Sequence, residues 1–247
     1  MYTFDSRIRY SETDSECKLT LEALLDYFQD CSTFHSEDLG IGIEYLNERN
    51  LFWVLVSWQI VVDRYPQLGE RVTVGTFPYA FKGCLGYRNF CMLDEAGNYI
   101  ARANSLWTLL DKDMLRPGYP TQEMLEKYTP EEKLPMEYAG RKIMIPENGS
   151  VEGTITVMPW HLDANNHVNN GQFVRIAMSV LTLRGPVAQL RAEYKKQAYL
   201  DDVLHAYVGY RKGETGQGIW VVSLQDAQGS VYANVEVEEK QEDKVSR

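Results

Sequence analysis

Within "HLDANNHVNNGQFVRI", residues 161–176, Asp163, Asn165, Asn166, His167, Asn169 and Asn170 stand close together, and an apolar pattern of helical period follows at once. Asp163, Asn165 and His167 are spaced i, i+2, i+4. In an extended backbone all three point to one face. In an early helical turn Asp163 and His167 are still neighbours. Either backbone lets a carboxylate meet an imidazole. A helix that starts near Asn169–Gly171 adds unpaired amide hydrogens and the positive end of its dipole, a place for negative charge developing on oxygen. Gly171 would let a substrate carbonyl approach the backbone closely. A base, an amide that can orient water, an imidazole and an oxyanion-stabilising helix end together suit acyl hydrolysis. The same residue types also suit a plain helix cap, and the residues alone leave both readings open. There is no G-x-S-x-G nucleophile motif. His161 and His167 are six apart and form neither H-x-x-x-H nor H-E-x-x-H, so a metal site is not expected.

The elements that must position these residues occur twice. "YSETDSECKLTLEALLDYF" matches "WHLDANNHVNNGQFVRIAM", pairing Asp14 with Asp163, Glu16 with Asn165, Lys18 with His167 and Thr20 with Asn169, each 149 apart. Each segment enters a helical stripe: Leu24, Tyr27/Phe28, Cys31, Phe34 in the first, and Phe173, Ile176/Ala177, Val180/Leu181 in the second. Thr20 and Asn169 stand where N-caps would, and Gln172 would complete a capping box with Asn169. Further on, "DEAGNYIA" matches "DAQGSVYA" with an offset of 132, so the first half carries 17 extra residues (149 − 132) around "LGIGIEYLNERNLF". Strands are expected at Trp53–Val62, Glu70–Phe77, Gly86–Leu93 and Tyr99–Leu110, then at Gln189–Gln197, Val203–Arg211, Gly218–Gln225 and Val231–Glu238, because these runs are rich in Val, Thr and aromatics between turn signals. Short turns between strands imply antiparallel sheets, and one long helix per half implies an α+β fold with the helix across the sheet. "KGETGQG", residues 212–218, reads as a hairpin turn and not as a nucleotide loop.

Five of the nine prolines lie between Pro117 and Pro146, which marks a linker with a short helix near Gln122–Tyr128. The expected organisation is therefore 1–113, a linker at 114–150, and 151–247. The length of 247 residues and 44% hydrophobic content supply a substantial core. A net charge of −10 argues against a general nucleic-acid binder. No apolar run nears the ~20 residues that span a bilayer, and the start, "MYTFDSRIRY", reads as a strand and not as a targeting segment. Cys17, Cys31, Cys84 and Cys91 form no C-x-x-C pair and read as thiols of a cytoplasmic protein.

"HLDANNHVNNGQFV", with the later "LRAEYKKQAYLDD" and the first-half "SETDSECKLTLEALLDYFQDCSTFHSEDLG", resembles the acyl-acyl carrier protein thioesterases, over nearly the whole chain. The resemblance implies two hot-dog domains in tandem, each an antiparallel sheet wrapped around a long helix. It implies hydrolysis of fatty acyl thioesters carried by acyl carrier protein (ACP), ending chain elongation, with no cofactor beyond the phosphopantetheine that the substrate brings. It implies Asp163, Asn165 and His167 as catalytic residues, with amides near Asn170 and Gly171 assisting. The sequence departs from the plant pattern Arg-Arg-Glu-Cys, having Lys195, Lys196, Gln197 and Ala198 there. No thiol exists at the Cys position, and Gln197 can hold water but cannot act as a base. The first half lacks the His, so one active site per chain is expected. That half would shape an acyl pocket, with Phe28, Phe34, Trp53, Val56 and Trp58 as candidates. ACP is acidic, so docking would need a local basic patch such as Lys195/Lys196, Arg141/Lys142, Arg211/Lys212 or Arg184. A monomer or a homodimer, with no stable membrane insertion, fits the pattern. The alternatives are an acyl-CoA hydrolase, a dehydratase of the same fold, or a non-catalytic acyl-thioester binder.

Overall fold

The computed structural model describes residues 1–163, 165–213 and 216–240. Two compact units emerge, Met1–Tyr138 and Ala139–Arg247.

In the first unit the elements are β1 (Tyr2–Arg7), α1 (Leu21–Asp38), α2 (Ile43–Glu48), β2 (Leu51–Val62), β3 (Arg71–Lys82), β4 (Leu85–Leu93), β5 (Tyr99–Asp111) and α3 (Gln122–Tyr128). The strands are antiparallel and lie in the order β1-β3-β4-β5-β2. Helix α1 begins where Thr20 accepts the Ala23 amide at 3.2 Å, an N-cap that satisfies one orphan donor. It lies across β3 and β1. Its buried face carries Leu24, Leu25, Phe28 and Cys31. Phe28 meets Phe90 at 5.5 Å and Trp58 at 6.3 Å between ring centres. Truncating such a core aromatic to alanine costs about 3–5 kcal/mol.

In the second unit β6 (Ser150–Thr156), α4 (Asn170–Ser179), β7 (Val187–Tyr194), β8 (Val203–Lys212), β9 (Gly218–Gln225) and β10 (Val231–Glu239) follow the same plan. Their strand order is β7-β10-β9-β8-β6, which is the first order read from β2 to β1. The registers agree as well. Trp58 and Arg88 both face Ser105, as Leu190 and Trp220 both face Val237, all 132 apart. Ser6 opposite Val72 becomes Ile155 opposite Leu204, with offsets of 149 and 132. The duplication read from sequence is therefore a duplication of hydrogen-bond lattice.

Several boundaries differ from expectation, for local reasons. Strand β7 stops at Tyr194 and not at Gln197, because the amides of Lys195 and Lys196 both donate to the Tyr232 carbonyl, at 2.8 and 3.2 Å, and turn the chain away. Strand β3 runs on to Lys82 through a bulge between Pro78 and Ala80, since a proline cannot donate to the ladder. Helix α4 ends at Ser179, leaving Val180 and Leu181 beyond it. The Asn169 amide donates to the His161 carbonyl at 2.9 Å, which takes the place of the expected capping-box contact from Gln172.

The proline-rich stretch does not behave as a bare linker. Its first part belongs to the first unit. Met124 and Tyr128 of α3 pack with Ile41 and Leu109, and Leu134 packs with Phe77 and Cys91. The Leu134 amide and the Tyr138 hydroxyl donate to Asn89 at 3.1 and 2.9 Å. Gln59 and Arg102 donate to the carbonyls of Glu137 and Pro135. The rest belongs to the second unit, where Ile143 packs with Ile219 and Val221 and Arg191 donates to the carbonyls of Gly140 and Lys142. Of the expected hairpin turn at 212–218, residues 214 and 215 lie outside the described residues. The four cysteines are not disulfide-bonded, and burial pushes the thiol of Cys31 up to about 12. Among the described residues no helix is long and apolar enough to cross a membrane.

Candidate active site

The segment between the Leu162–Val168 bridge is a five-residue loop, of which Ala164 lies outside the described residues. The Asp163 amide donates to the His167 carbonyl at 2.8 Å, and the Asn166 amide to the Asp163 carbonyl at 3.0 Å. Oδ1 of Asp163 accepts the amides of Asn165 and His167, at 2.7 and 3.4 Å. Asn166 sits at φ 58°, the left-handed region that Asn tolerates. Three other loops are built in the same way. Asp14 accepts the amides of Glu16 and Lys18, with Cys17 at φ 60°. Asp94 accepts those of Ala96 and Asn98, with Gly97 at φ 80°. Asp226 accepts those of Gln228 and Ser230, with Gly229 at φ 79°. One oxygen of Asp163 therefore performs a routine turn-closing job. The other oxygen sorts the four loops into two pairs. Oδ2 of Asp94 meets Asn98 and Arg64, and Oδ2 of Asp226 meets Lys196 at 3.3 Å. Oδ2 of Asp163 and Oδ2 of Asp14 accept nothing among the described residues.

Asn165 is exposed and His167 half-buried. Among the described residues no hydrogen bond joins the Asp163 carboxylate to the His167 ring. The carboxylate reaches the histidine through its backbone amide. The ring instead stands edge-on to Tyr199, 4.9 Å between centres and 83° between planes. The Tyr199 hydroxyl donates to Oε1 of Gln197 at 3.3 Å. Tyr199 thus joins the two segments singled out in the sequence, and sequence reasoning missed it. Its partner lies 32 positions away (199 − 167), and the detectable signal was the lattice offset that pairs it with Gln67, the bridge partner of Lys18.

The rest of that segment is occupied by structure. Ala198 is fully buried, and its carbonyl accepts the Val168 amide at 2.9 Å. Glu193 is buried, pairs with Lys195 at 3.4 Å, and accepts from the Ile143 amide and from Asn234. It is no base in waiting. Lys196 pairs with Asp226 and lies 4.5 Å from the centre of the Tyr232 ring, and Arg211 pairs with Glu236.

At the start of α4, Oδ1 of Asn169 accepts the Gly171 amide at 2.8 Å. The Gly171 amide is therefore spent on the cap and leaves the oxyanion set. Nothing among the described residues accepts the Asn170 amide, while its carbonyl accepts the Tyr194 hydroxyl at 3.0 Å. Nδ1 of His161 accepts the Met158 amide at 3.0 Å, and burial pushes this imidazole below its ordinary value. Among the described residues no group of three or more His, Cys, Asp or Glu could hold a metal ion.

Of the pocket candidates, Phe28 and Trp58 are buried and Trp53 half-buried. Val56 is the extra residue of a bulge between Leu55 and Ser57. The indole N–H groups of Trp53 and Trp58 are buried with no acceptor among the described residues. Phe34 is 45% exposed, edge-on to Phe4, and so stands apart from this set.

Residues 1–128 match the family described as Acyl-ACP thioesterase N-terminal domain. The chain belongs to this family. It is 23% identical over 233 residues to the acyl-[acyl-carrier-protein] hydrolase FATB1 of Cuphea viscosissima, covering 85% of this chain and 54% of that protein. It is 25% identical over 217 residues to the palmitoyl-acyl carrier protein thioesterase of Gossypium hirsutum, covering 81% and 52%. The chain thus spans about half the length of the curated relatives it matches. The chain also shares its fold with solved structures. An acyl-ACP thioesterase from Bacteroides thetaiotaomicron has a TM-score of 0.87 at 23% identity, covering 96% of this chain and 97% of that one. The 12:0-ACP thioesterase from Umbellularia californica has a TM-score of 0.85 at 19% identity, covering 98% of both.

Proposed function

We propose that this chain hydrolyses fatty acyl-ACP to free fatty acid and holo-ACP, in the cytoplasm, with one active site in the second unit. The two units read as tandem hot-dog domains, each sheet curled around its own helix. One observation carries the reading. The 163–167 loop, directly before α4, presents an unpartnered carboxylate oxygen, an exposed amide and an imidazole beside an unclaimed helix-start amide. Its first-unit twin shares the unpartnered oxygen, on Asp14, but where the second has the amide and the imidazole it presents an ion pair, Lys18 to Glu16 at 2.8 Å.

In this reading Oδ2 of Asp163 takes a proton from water as the water oxygen bonds to the thioester carbonyl carbon. Asn165 orients that water. The Asn170 amide and the α4 dipole stabilise the oxyanion. The C–S bond then breaks, His167 as imidazolium gives the departing sulfur its proton, and the proton taken up by Asp163 returns to the imidazole through solvent. Gln197 contributes hydrogen bonds and no charge. The phosphopantetheine comes with the substrate and no further cofactor enters. Phe28, Trp53, Val56 and Trp58 are the proposed walls of the acyl pocket. The family resemblance and the names of the curated relatives support ACP as the carrier.

The test is hydrolysis of saturated acyl groups of graded length, each on ACP and on CoA, by wild type and by His167→Ala. Fatty acid released from ACP by wild type and not by the variant is the expected result. Equal turnover of CoA thioesters would move the chain to the acyl-CoA hydrolases. Binding without release would make it an acyl-thioester binder.

A further inference from the structure

We propose that Tyr199 is a positioning residue for this reaction, holding the His167 ring and the Gln197 amide in one arrangement. The inference rests on the reading that these two residues serve thioester hydrolysis.

The backbone places Tyr199 without help from its side chain. Its amide donates to Oδ2 of Asp202 at 2.9 Å, and the Asp202 amide returns to its carbonyl at 3.1 Å. The first unit makes the same turn, with Gln67 and Glu70 at 2.9 and 3.0 Å. In both units the next lattice bond is also shared: Val168 to the Ala198 carbonyl, and Leu19 to the Pro66 carbonyl, each at 2.9 Å. Positions 167 and 199 are therefore neighbours by inheritance, as Lys18 and Gln67 are across their bridge. What is new in the second unit is the chemistry of the pair.

The tyrosine does two things there. Its ring stands edge-on to the imidazole, which restricts how the His167 ring can turn. Its hydroxyl occupies Oε1 of Gln197, so the amide presents its NH2 hydrogens to whatever lies beyond. A glutamine cannot titrate, and its value to a reaction lies in orientation alone. With Oε1 held, Gln197 acts as a hydrogen-bond donor of fixed direction. Tyr199 is 51% exposed, so it is not there to fill a core, and its removal leaves the packed interior intact.

The experiment compares wild type, Tyr199→Phe, Tyr199→Ala, Gln197→Ala and the Tyr199→Phe/Gln197→Ala double variant on the ACP thioester that wild type turns over fastest. The proton resonances of the His167 ring are recorded alongside. Tyr199→Phe lowers kcat about 3–10-fold with KM unchanged, the scale of one neutral hydrogen bond. Tyr199→Ala lowers it about 10–100-fold, because the ring contact goes as well. In the Gln197→Ala background Tyr199→Phe has no further effect, since the hydroxyl acts through the amide. The ring-current displacement of the His167 protons survives in Tyr199→Phe and disappears in Tyr199→Ala. Wild-type kcat in both tyrosine variants overturns the proposal, as does a fully additive double variant. If wild type cleaves no thioester although the ring displacement is present, the functional reading falls. The positioning role falls with it, and only the packing contact remains.

Discussion

The loops at 14–18 and 163–167 share every backbone bond, and each is followed by a side-chain-capped helix, Thr20 accepting the Ala23 amide and Asn169 the Gly171 amide. Their side chains have little in common. Position five is Lys18 in one and His167 in the other, and position three is Glu16 or Asn165. In the first loop these two form an ion pair. Across the lattice Tyr65 and Gln67 stand where the second unit has Gln197 and Tyr199, and burial pushes the Tyr65 hydroxyl upward. In the first turn of α1, Glu22 stands where α4 has Gly171, a carboxylate at the position matching the proposed oxyanion site. The scaffold is common property and the chemistry lies in what hangs from it. Asp163 is the least informative member of its own motif, because Asp14 does the same backbone work.

The sharpest way to break this comparison is to exchange matched residues. His167→Ala should lower kcat/KM on the preferred ACP thioester by about 10²–10⁴-fold, the range of a lost general acid or base. Lys18→Ala should leave it within about 2-fold. Equal losses would mean that the two loops are not functionally distinct. The aspartates separate the scaffold from the chemistry. Asp163→Asn keeps an oxygen for the two loop amides and removes the charge, so kcat should fall about 100-fold or more while Tm holds. Asp163→Ala and Asp14→Ala should each lower Tm by about 2–5 °C, because both lose two loop bonds. Full activity in Asp163→Asn would reduce that residue to a turn former. Thermal melts and steady-state kinetics on the three aspartate variants decide it.

Much of this plan was legible in the sequence, since offsets of 149 and 132 between matched residues are what a repeated hydrogen-bond lattice leaves behind. Strand β9 and helix α3 were read to the residue, because Gly, Asp and Thr punctuate them. The misreadings have a common physical cause, which is that the deciding bonds come from elsewhere in the chain. Gln197 looked like strand, yet the Tyr232 carbonyl takes both lysine amides and bends it out. The proline-rich stretch looked like a linker, yet Met124, Tyr128 and Leu134 are buried in the first unit. At the site, spacing brought Asp163 and His167 to one loop but could not show that a backbone amide, not the imidazole, meets the carboxylate. Nor could it show that the Gly171 amide is consumed by its own cap.

A difference of length between the helices sharpens the comparison through pH. Helix α1 has 18 residues and α4 has 10. The extra turns of α1 carry His35, whose counterpart 149 residues on, Arg184, lies past α4. Arg88, buried opposite Ser105, donates to Nδ1 of His35 at 3.0 Å. Burial first, and then the Arg88 charge, push His35 down to about 4, against about 6.5 in an unfolded chain. Between those values the unfolded state holds the extra proton, so stability falls as pH drops from about 6.5 toward 4. His35→Gln still accepts from Arg88 and cannot titrate. Its urea midpoint should depend on pH less steeply across that window, by the equivalent of one proton. An unchanged slope would show that His35 is not the group responsible.

The smallest expected effect tests whether the comparison is complete. Glu16→Asn with Lys18→His gives the first loop the third and fifth side chains of the second. An exposed ion pair contributes little, so Tm should move by no more than about 1–2 °C. Measured in a His167→Ala background, this exchange should restore no hydrolysis. Gln67 offers no ring to hold a new imidazole, and Glu22 sets a negative charge at the helix start, where the transition state needs the opposite. Restored turnover would mean that asparagine and histidine on this loop suffice. Turnover that appears only after Glu22→Gly is added would instead locate the missing ingredient in the field of the helix, which both units possess and which Glu22 opposes in the first.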